Sequence, residues 1–157
     1  VNLFDTALQS EQDYVPAVVH SVEWSTPAHV FEPLDAEFGF TLDVCASVGN
    51  AKCARFFTRD QDGLAQSWAG EVVWMNPPYA RGVIDRWMKK AYESAREGGA
   101  TVVCLVPSST SGRWWHDYAM RGEIRFVRGR IKFGGSAHTA MFPCSVVIFR
   151  PGVLRCE

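Results

Sequence analysis

The sequence predicts a three-layer α/β domain in which helices pack on a sheet. Three observations point to it: short apolar runs alternate with helix-spaced segments, turn residues mark the junctions, and 157 residues suffice for one sizeable core. Ser25-Thr26-Pro27 offers an N-cap candidate followed by proline, so a helix should begin near Pro27 and bury Val30, Phe31, Leu34 and Phe38. Pro33 interrupts that pattern and predicts a kink or two short helices. Residues 40–45 read as the first core strand, with Asp43 near its carboxyl end. Between Ala46 and Gly70 there is room for only one or two short elements, a strand around residues 55–58 and a loop carrying Asp60, Asp62 and Gly63.

Residues 71–75 form the next predicted strand, and Val83, Ile84, Trp87, Met88, Ala91, Tyr92 and Ala95 then mark a strong helical face ended by Gly98-Gly99. Residues 100–106 read as a buried strand. Residues 109–121 read as a loop and short helix closed by Gly122, and residues 123–127 and 144–149 as two further strands. In such open α/β sheets, ligands bind outside the carboxyl ends of the strands, so the residues at those ends carry the interest.

Apolar residues make up 47% and charged residues 21%, and every apolar run is far shorter than a membrane span, so a soluble protein without a membrane partner is expected. The five cysteines, Cys45, Cys53, Cys104, Cys144 and Cys156, are an odd number without CxxC spacing, which predicts reduced thiols in a cytoplasm. His20, His29 and His138 are scattered and no Cys/His cluster has ligand spacing, so no metal is expected. Trp114-Trp115, Met75 and Met88 are read as packing residues.

Net charge is only −1, but its distribution is lopsided. No Lys or Arg precedes Lys52, whereas Arg113, Arg121, Arg125, Arg128, Arg130, Lys132 and Arg150 crowd the last third. A polyanion can dock on such a surface, and a solvated basic face explains the charges equally well.

The most specific feature is Asn76-Pro77-Pro78-Tyr79, directly after the apolar run Val72-Val73-Trp74-Met75. A chance match in this length is about one in two thousand at average composition. Two prolines stop the sheet ladder and force a stiff, extended exit. Such an exit can hold the Asn76 side-chain oxygen and the Pro77 carbonyl as fixed acceptors beside the Tyr79 ring, a geometry that suits an exocyclic NH2 group. It suggests amino-group methylation.

Together with Trp24-Ser25-Thr26-Pro27, Leu42-Asp43-Val44-Cys45-Ala46, Asp62-Gly63-Leu64, Val106-Pro107-Ser108, Gly129-Arg130-Ile131-Lys132-Phe133 and Phe142-Pro143-Cys144, this turn gives the chain a family likeness. It resembles the S-adenosylmethionine-dependent DNA N6-adenine methyltransferases, most closely the small Dam-type enzymes of bacteriophages. The resemblance implies an abbreviated Rossmann-like methyltransferase fold, with a mostly parallel sheet, helices on both faces and an antiparallel last strand. The length gives one domain, read as a single catalytic domain over 22–157, and the ragged segment 1–21 before it is expected to be partly disordered.

By that resemblance Trp24, Thr26, Pro27, Asp43, Cys45, Ala46 and Asp62 bind the cofactor, Asp62 near its adenine. Asn76, Pro77, Pro78 and Tyr79 are catalytic. Phe142 walls the pocket of an extruded base, and Arg125, Arg128, Arg130 and Lys132 face DNA phosphates. Read without the resemblance, Asp43 is a strand-end cap and Asp62 the first residue of an Asp-Gly turn, while Phe142 is a core residue. Two departures stand out. Ala46-Ser47-Val48-Gly49 supplies a single glycine where the family loop is glycine-rich, and the span from Cys45 to Glu71 is short for the two units that usually include the ribose-binding acid. Asp60 is the nearest substitute. The competing readings are a methyltransferase acting on RNA adenine or on protein glutamine amides, and a catalytically silent DNA-binding module.

Overall fold

The computed structural model describes residues 25–152. The expectations placed on segment 1–21, on Trp24 and on Cys156 lie outside the described residues. In chain order the elements are α1 (Ala28–Phe38), β1 (Leu42–Asp43), β2 (Val72–Met75), α2 (Val83–Gly98), β3 (Thr101–Pro107), α3 (Arg113–Asp117), β4 (Glu123–Phe126) and β5 (Cys144–Phe149). The five strands lie in the order β1-β2-β3-β5-β4. The first three are parallel, β5 runs antiparallel to β3, and β4 antiparallel to β5.

Alternation along the central strands divides the apolar side chains between two layers. Val73 and Met75 of β2, Val102, Cys104 and Val106 of β3, and Val147 and Phe149 of β5 join the face covered by α2, α3 and Trp68. Trp74, Val103, Leu105, Val146 and Ile148 join the other, covered by α1 with Ile131, Phe133 and Ala140. Every residue of β5 is buried, the pattern of a strand covered on both faces. Trp114 and Trp115 are buried in the first cluster, the packing role expected of them.

Several local outcomes differ from expectation for identifiable reasons. The first helix is not divided: it runs through Pro33, because Phe31 and Leu34 on either side of the proline are both buried in the same cluster. Its N-cap is Pro27 itself, with no side-chain cap, so Thr26 is released for another task. The strand expected at 55–58 is reduced to a parallel bridge between Phe56 and Asp43. Its hydrogen bonds, Asp43 N to Arg55 O, Phe57 N to Asp43 O and Ala46 N to Phe57 O, tie it to the two-residue β1 and the turn that follows. The α2 helix ends as predicted, on Gly99 at φ 67°, whose amide donates to the Ser94 carbonyl.

Because β1, β2 and β3 are parallel, their exits at Val44, Asn76 and Ser108 emerge at one edge of the sheet. The candidate residues gather there.

Candidate active site

Asn76 leaves β2 with its side-chain amide held at both ends. Its Nδ2 donates to Thr26 Oγ1 at 3.2 Å, and its Oδ1 accepts from the Tyr79 hydroxyl at 2.6 Å. In this arrangement the amide oxygen faces the Tyr79 hydroxyl and the amide nitrogen faces Thr26. Thr26 is only 2% exposed, which makes its hydroxyl a buried anchor. The Tyr79 hydroxyl also lies 3.1 Å from the Leu105 carbonyl of β3, so its single proton has two acceptors within reach. Burial pushes the Tyr79 phenol well above its usual range, with smaller contributions from Cys144 and Cys45, so the hydroxyl stays a donor at neutral pH.

The Tyr79 ring is held edge-on by two phenylalanines, Phe142 at 5.6 Å and Phe133 at 6.2 Å between centroids. Phe142 is half-buried and packs against the α1-side cluster, so it touches Tyr79 and the core at once. Pro77 is buried and Pro78 exposed, as an extended exit crossing from core to surface requires. Leu105 is a site neighbour that the sequence reading did not single out, and Phe133 one that it named only as the end of a matched segment, without a role. Buried Ile131 and Phe133 alternate with exposed Arg130 and Lys132, and that period-two pattern is the signal that could have found Phe133.

At the neighbouring exit of β1, Asp43 is 3% exposed. Its two carboxylate oxygens accept the backbone amides of Cys45 at 3.2 Å and Lys52 at 3.0 Å. Burial raises its carboxyl above the usual range, against the lowering pull of those amides. Cys45 and Ala46 follow, the first half-buried and the second buried. Burial likewise pushes the Cys45 thiol up, which keeps it neutral. Asp43 thus builds the loop that follows it, the role of a strand-end cap, and each oxygen keeps acceptor capacity.

Asp62 is exposed, with φ 47°, and its carboxylate accepts the Leu64 amide at 3.2 Å, which is the local hydrogen bond of an Asp-Gly turn. The next residue explains why the turn sits where it does. A Cβ on Gly63 would lie 2.3 Å from the Val44 carbonyl, so only glycine lets this loop press against the exit of β1.

The four basic residues separate into two groups. Arg125 is committed within the fold: it forms a two-pronged pair with Glu37 at 2.6 and 2.8 Å, pairs with Glu123 at 2.6 Å, and lies over the Phe38 ring at 5.7 Å. It joins α1 to the β4 edge. Arg128, Arg130 and Lys132 are exposed on the segment between β4 and β5. That segment is tied to the site by Gly134 N to Ser25 O at 2.8 Å, and its arms by Ala140 N to Ile131 O at 2.8 Å. Arg81, two residues after Tyr79, is a further exposed cation that the charge survey passed over.

Among the described residues, no group of three or more His, Cys, Asp or Glu side chains is placed to hold a metal ion, and no helix is long and apolar enough to cross a membrane.

This arrangement agrees with the chain's relatives. The family model for Dam, DNA N-6-adenine-methyltransferase, matches residues 17–151. A DNA N-6-adenine-methyltransferase of Escherichia phage T1 is 35% identical over 131 residues, covering 68% of this chain and 54% of the phage protein. The chain therefore spans about half the length of that relative. A protein of Escherichia coli K12 named as a candidate methyltransferase, YfdM, is 34% identical over 64 residues, covering 36% of this chain and 70% of that protein. With the family model spanning most of its length and the Asn76-Pro77-Pro78-Tyr79 exit assembled at its sheet edge, the chain belongs to the Dam family of DNA N-6-adenine-methyltransferases.

Proposed function

We propose that this chain transfers a methyl group from S-adenosylmethionine to the N6 amino group of adenine in DNA, on an abbreviated Rossmann-like methyltransferase fold with its catalytic domain over residues 22–157. The observation that carries this reading is the doubly held amide of Asn76, fixed by Thr26 and Tyr79 at a strand exit stiffened by two prolines.

An adenine amino nitrogen is a poor nucleophile because its lone pair is delocalised into the ring. As a carbonyl oxygen Asn76 Oδ1 can accept more than one hydrogen bond, and the Pro77 carbonyl is the other acceptor. When each accepts one N–H, the nitrogen moves toward tetrahedral geometry and its lone pair becomes available. The same two acceptors offset the positive charge that develops on nitrogen, so no residue need act as a strong base. The Tyr79 ring, held edge-on by Phe133 and Phe142, stacks on a base taken out of its duplex.

The residues of the β1 edge fit the cofactor. Thr26 and Asp43 offer buried polar atoms to a methionine amino and carboxylate group, with Pro27, Cys45 and Ala46 beside them and Trp24 next along the chain. The Gly63 contact sets Asp62 against the same exit, where its carboxylate can accept from an exocyclic amine. When bound, S-adenosylmethionine supplies the electrophilic methyl. Arg128, Arg130 and Lys132 serve the phosphates; Arg125, already paired three ways, supports the fold.

The test is methyl transfer from tritiated S-adenosylmethionine to duplex DNA, single-stranded DNA, RNA and protein offered in parallel. Label on the N6 position of adenine in DNA is the expected result. Label confined to RNA or to glutamine amides, or binding of DNA without any transfer, overturns the reading.

A further inference from the structure

Among the described residues, four large apolar side chains are prominently exposed: Val48, Met120, Phe126 and Met141. Single exposed apolar residues are common and need no explanation, so position decides. Phe126 and Met141 stand at the two feet of the basic segment, whose strands are joined at that point by Val127 N to Cys144 O at 3.1 Å. They differ in what lies behind them. Phe126 falls two residues from Ile124 and so shares the α2 side of the sheet, to which Ile124 packs.

Met141 is 95% exposed, yet its neighbours on both sides are fixed. Ala140 is buried and donates to the Ile131 carbonyl, and the Phe142 ring lies edge-on to Tyr79 at 5.6 Å. A flexible apolar side chain is thus carried into solvent on a pinned backbone, one residue from the ring that contacts Tyr79. Arg128, Arg130 and Lys132 are exposed on the same segment. A duplex drawn to those cations brings its base stack to an apolar tip, and inserted methionines are among the wedges with which proteins part base steps.

We propose that Met141 is a wedge that enters the duplex beside the target adenine and fills the space its extrusion leaves. It is a positioning residue: it acts on the pairing equilibrium of the target and leaves the methyl-transfer geometry at Asn76 alone. The inference rests on the proposed DNA methylation.

The experiment uses the full chain as wild type, Met141→Ala, Met141→Gln and Phe126→Ala. Each is assayed under single-turnover conditions on a duplex with paired target adenines and on single strands of the same sequence, with 2-aminopurine fluorescence reporting extrusion. Unchanged melting temperatures are expected for an exposed position. A wedge predicts that both Met141 variants lose at least about tenfold in rate and most of the fluorescence rise on the duplex, with a much smaller loss on the single strand. Equal losses on both substrates, wild-type behaviour on both, or a pairing-dependent loss in Phe126→Ala alone overturns the assignment. Failure of the underlying reading is distinguishable, because the wild-type chain would then methylate neither substrate.

Discussion

Two neighbouring strand exits use their polar side chains in opposite ways. β1 and β2 are parallel and adjacent, and each delivers a polar residue to the same edge of the sheet, Asp43 within the last step of one and Asn76 directly after the other. After Asp43 the chain has ordinary amides to satisfy, and the carboxylate takes two of them, from Cys45 and Lys52. After Asn76 come two prolines, which have no amide hydrogen to offer. The Asn76 side chain is instead held by side-chain partners, Thr26 from the start of the described chain and Tyr79 from the same exit. Proline at this exit stiffens the backbone and also removes the local donors that would compete for the Asn76 oxygen. A loop-building side chain should reveal itself through stability, and one held by other side chains through rate.

The largest expected effect is on the β2 side. Asn76→Ala should lower methyl transfer by about 10²–10³-fold, the scale of losing one preorganised polar contact to a developing charge, with little change in melting temperature. Single-turnover rates and thermal denaturation on the same preparations check both halves. At the β1 exit the order reverses. Asp43→Ala leaves two loop amides without their acceptor and should cost about 1–3 kcal/mol in stability by urea denaturation. It should also weaken S-adenosylmethionine binding measured by calorimetry, and unchanged affinity would confine Asp43 to its capping role.

The basic residues extend the comparison to smaller effects. An Arg128→Ala/Arg130→Ala variant should reduce the salt dependence of DNA binding by a slope of about two, roughly one per phosphate contact, without lowering stability. Arg125→Ala should do the opposite, sparing the salt slope while costing only a few degrees of melting temperature, since its partners are partly solvated. That cost should depend on pH with a definite sign. The hydrogen bond from Arg125 holds the Glu37 carboxyl below its usual range, and Arg150 and then Arg125 do so for Glu123. Carboxyls lowered by folding contribute stability above their unfolded values and lose it as pH falls through the folded ones. The gap in melting temperature between wild type and Arg125→Ala should therefore narrow on acidification, as a melting series from neutral pH to pH 3 would reveal.

Much of this was legible in the sequence, for reasons that differ by residue. The central strands and α2 announce themselves because burial on both faces produces unbroken apolar runs and a helical face ends cleanly at Gly98-Gly99. Asn76-Pro77-Pro78-Tyr79 was legible because proline chemistry acts locally. Of the two outcomes open at Pro33, two short helices do not form, since tertiary burial of Phe31 and Leu34 outweighs the propensity of one residue. The segment 55–58 misled because a strand needs a partner of matching length and β1 has only two residues. Thr26 as anchor for Asn76 and Arg125 as tie to Glu37 span 50 and 88 residues of sequence, a separation that no local pattern encodes. The Gly63 contact with Val44 was equally invisible, because only the folded chain brings a backbone carbonyl against that position.

The central claim is that Asn76 acts as a hydrogen-bond acceptor, and comparing Asn76→Ala with Asn76→Asp tests it most directly. Aspartate removes the donor to Thr26 but keeps an oxygen where the amide oxygen stood, whereas alanine removes both. With single-turnover transfer to duplex DNA as the measurement and folding verified by circular dichroism, the account predicts that Asn76→Asp retains at least about tenfold more activity than Asn76→Ala. Equal loss in the two variants, or near wild-type turnover in folded Asn76→Ala, would contradict it.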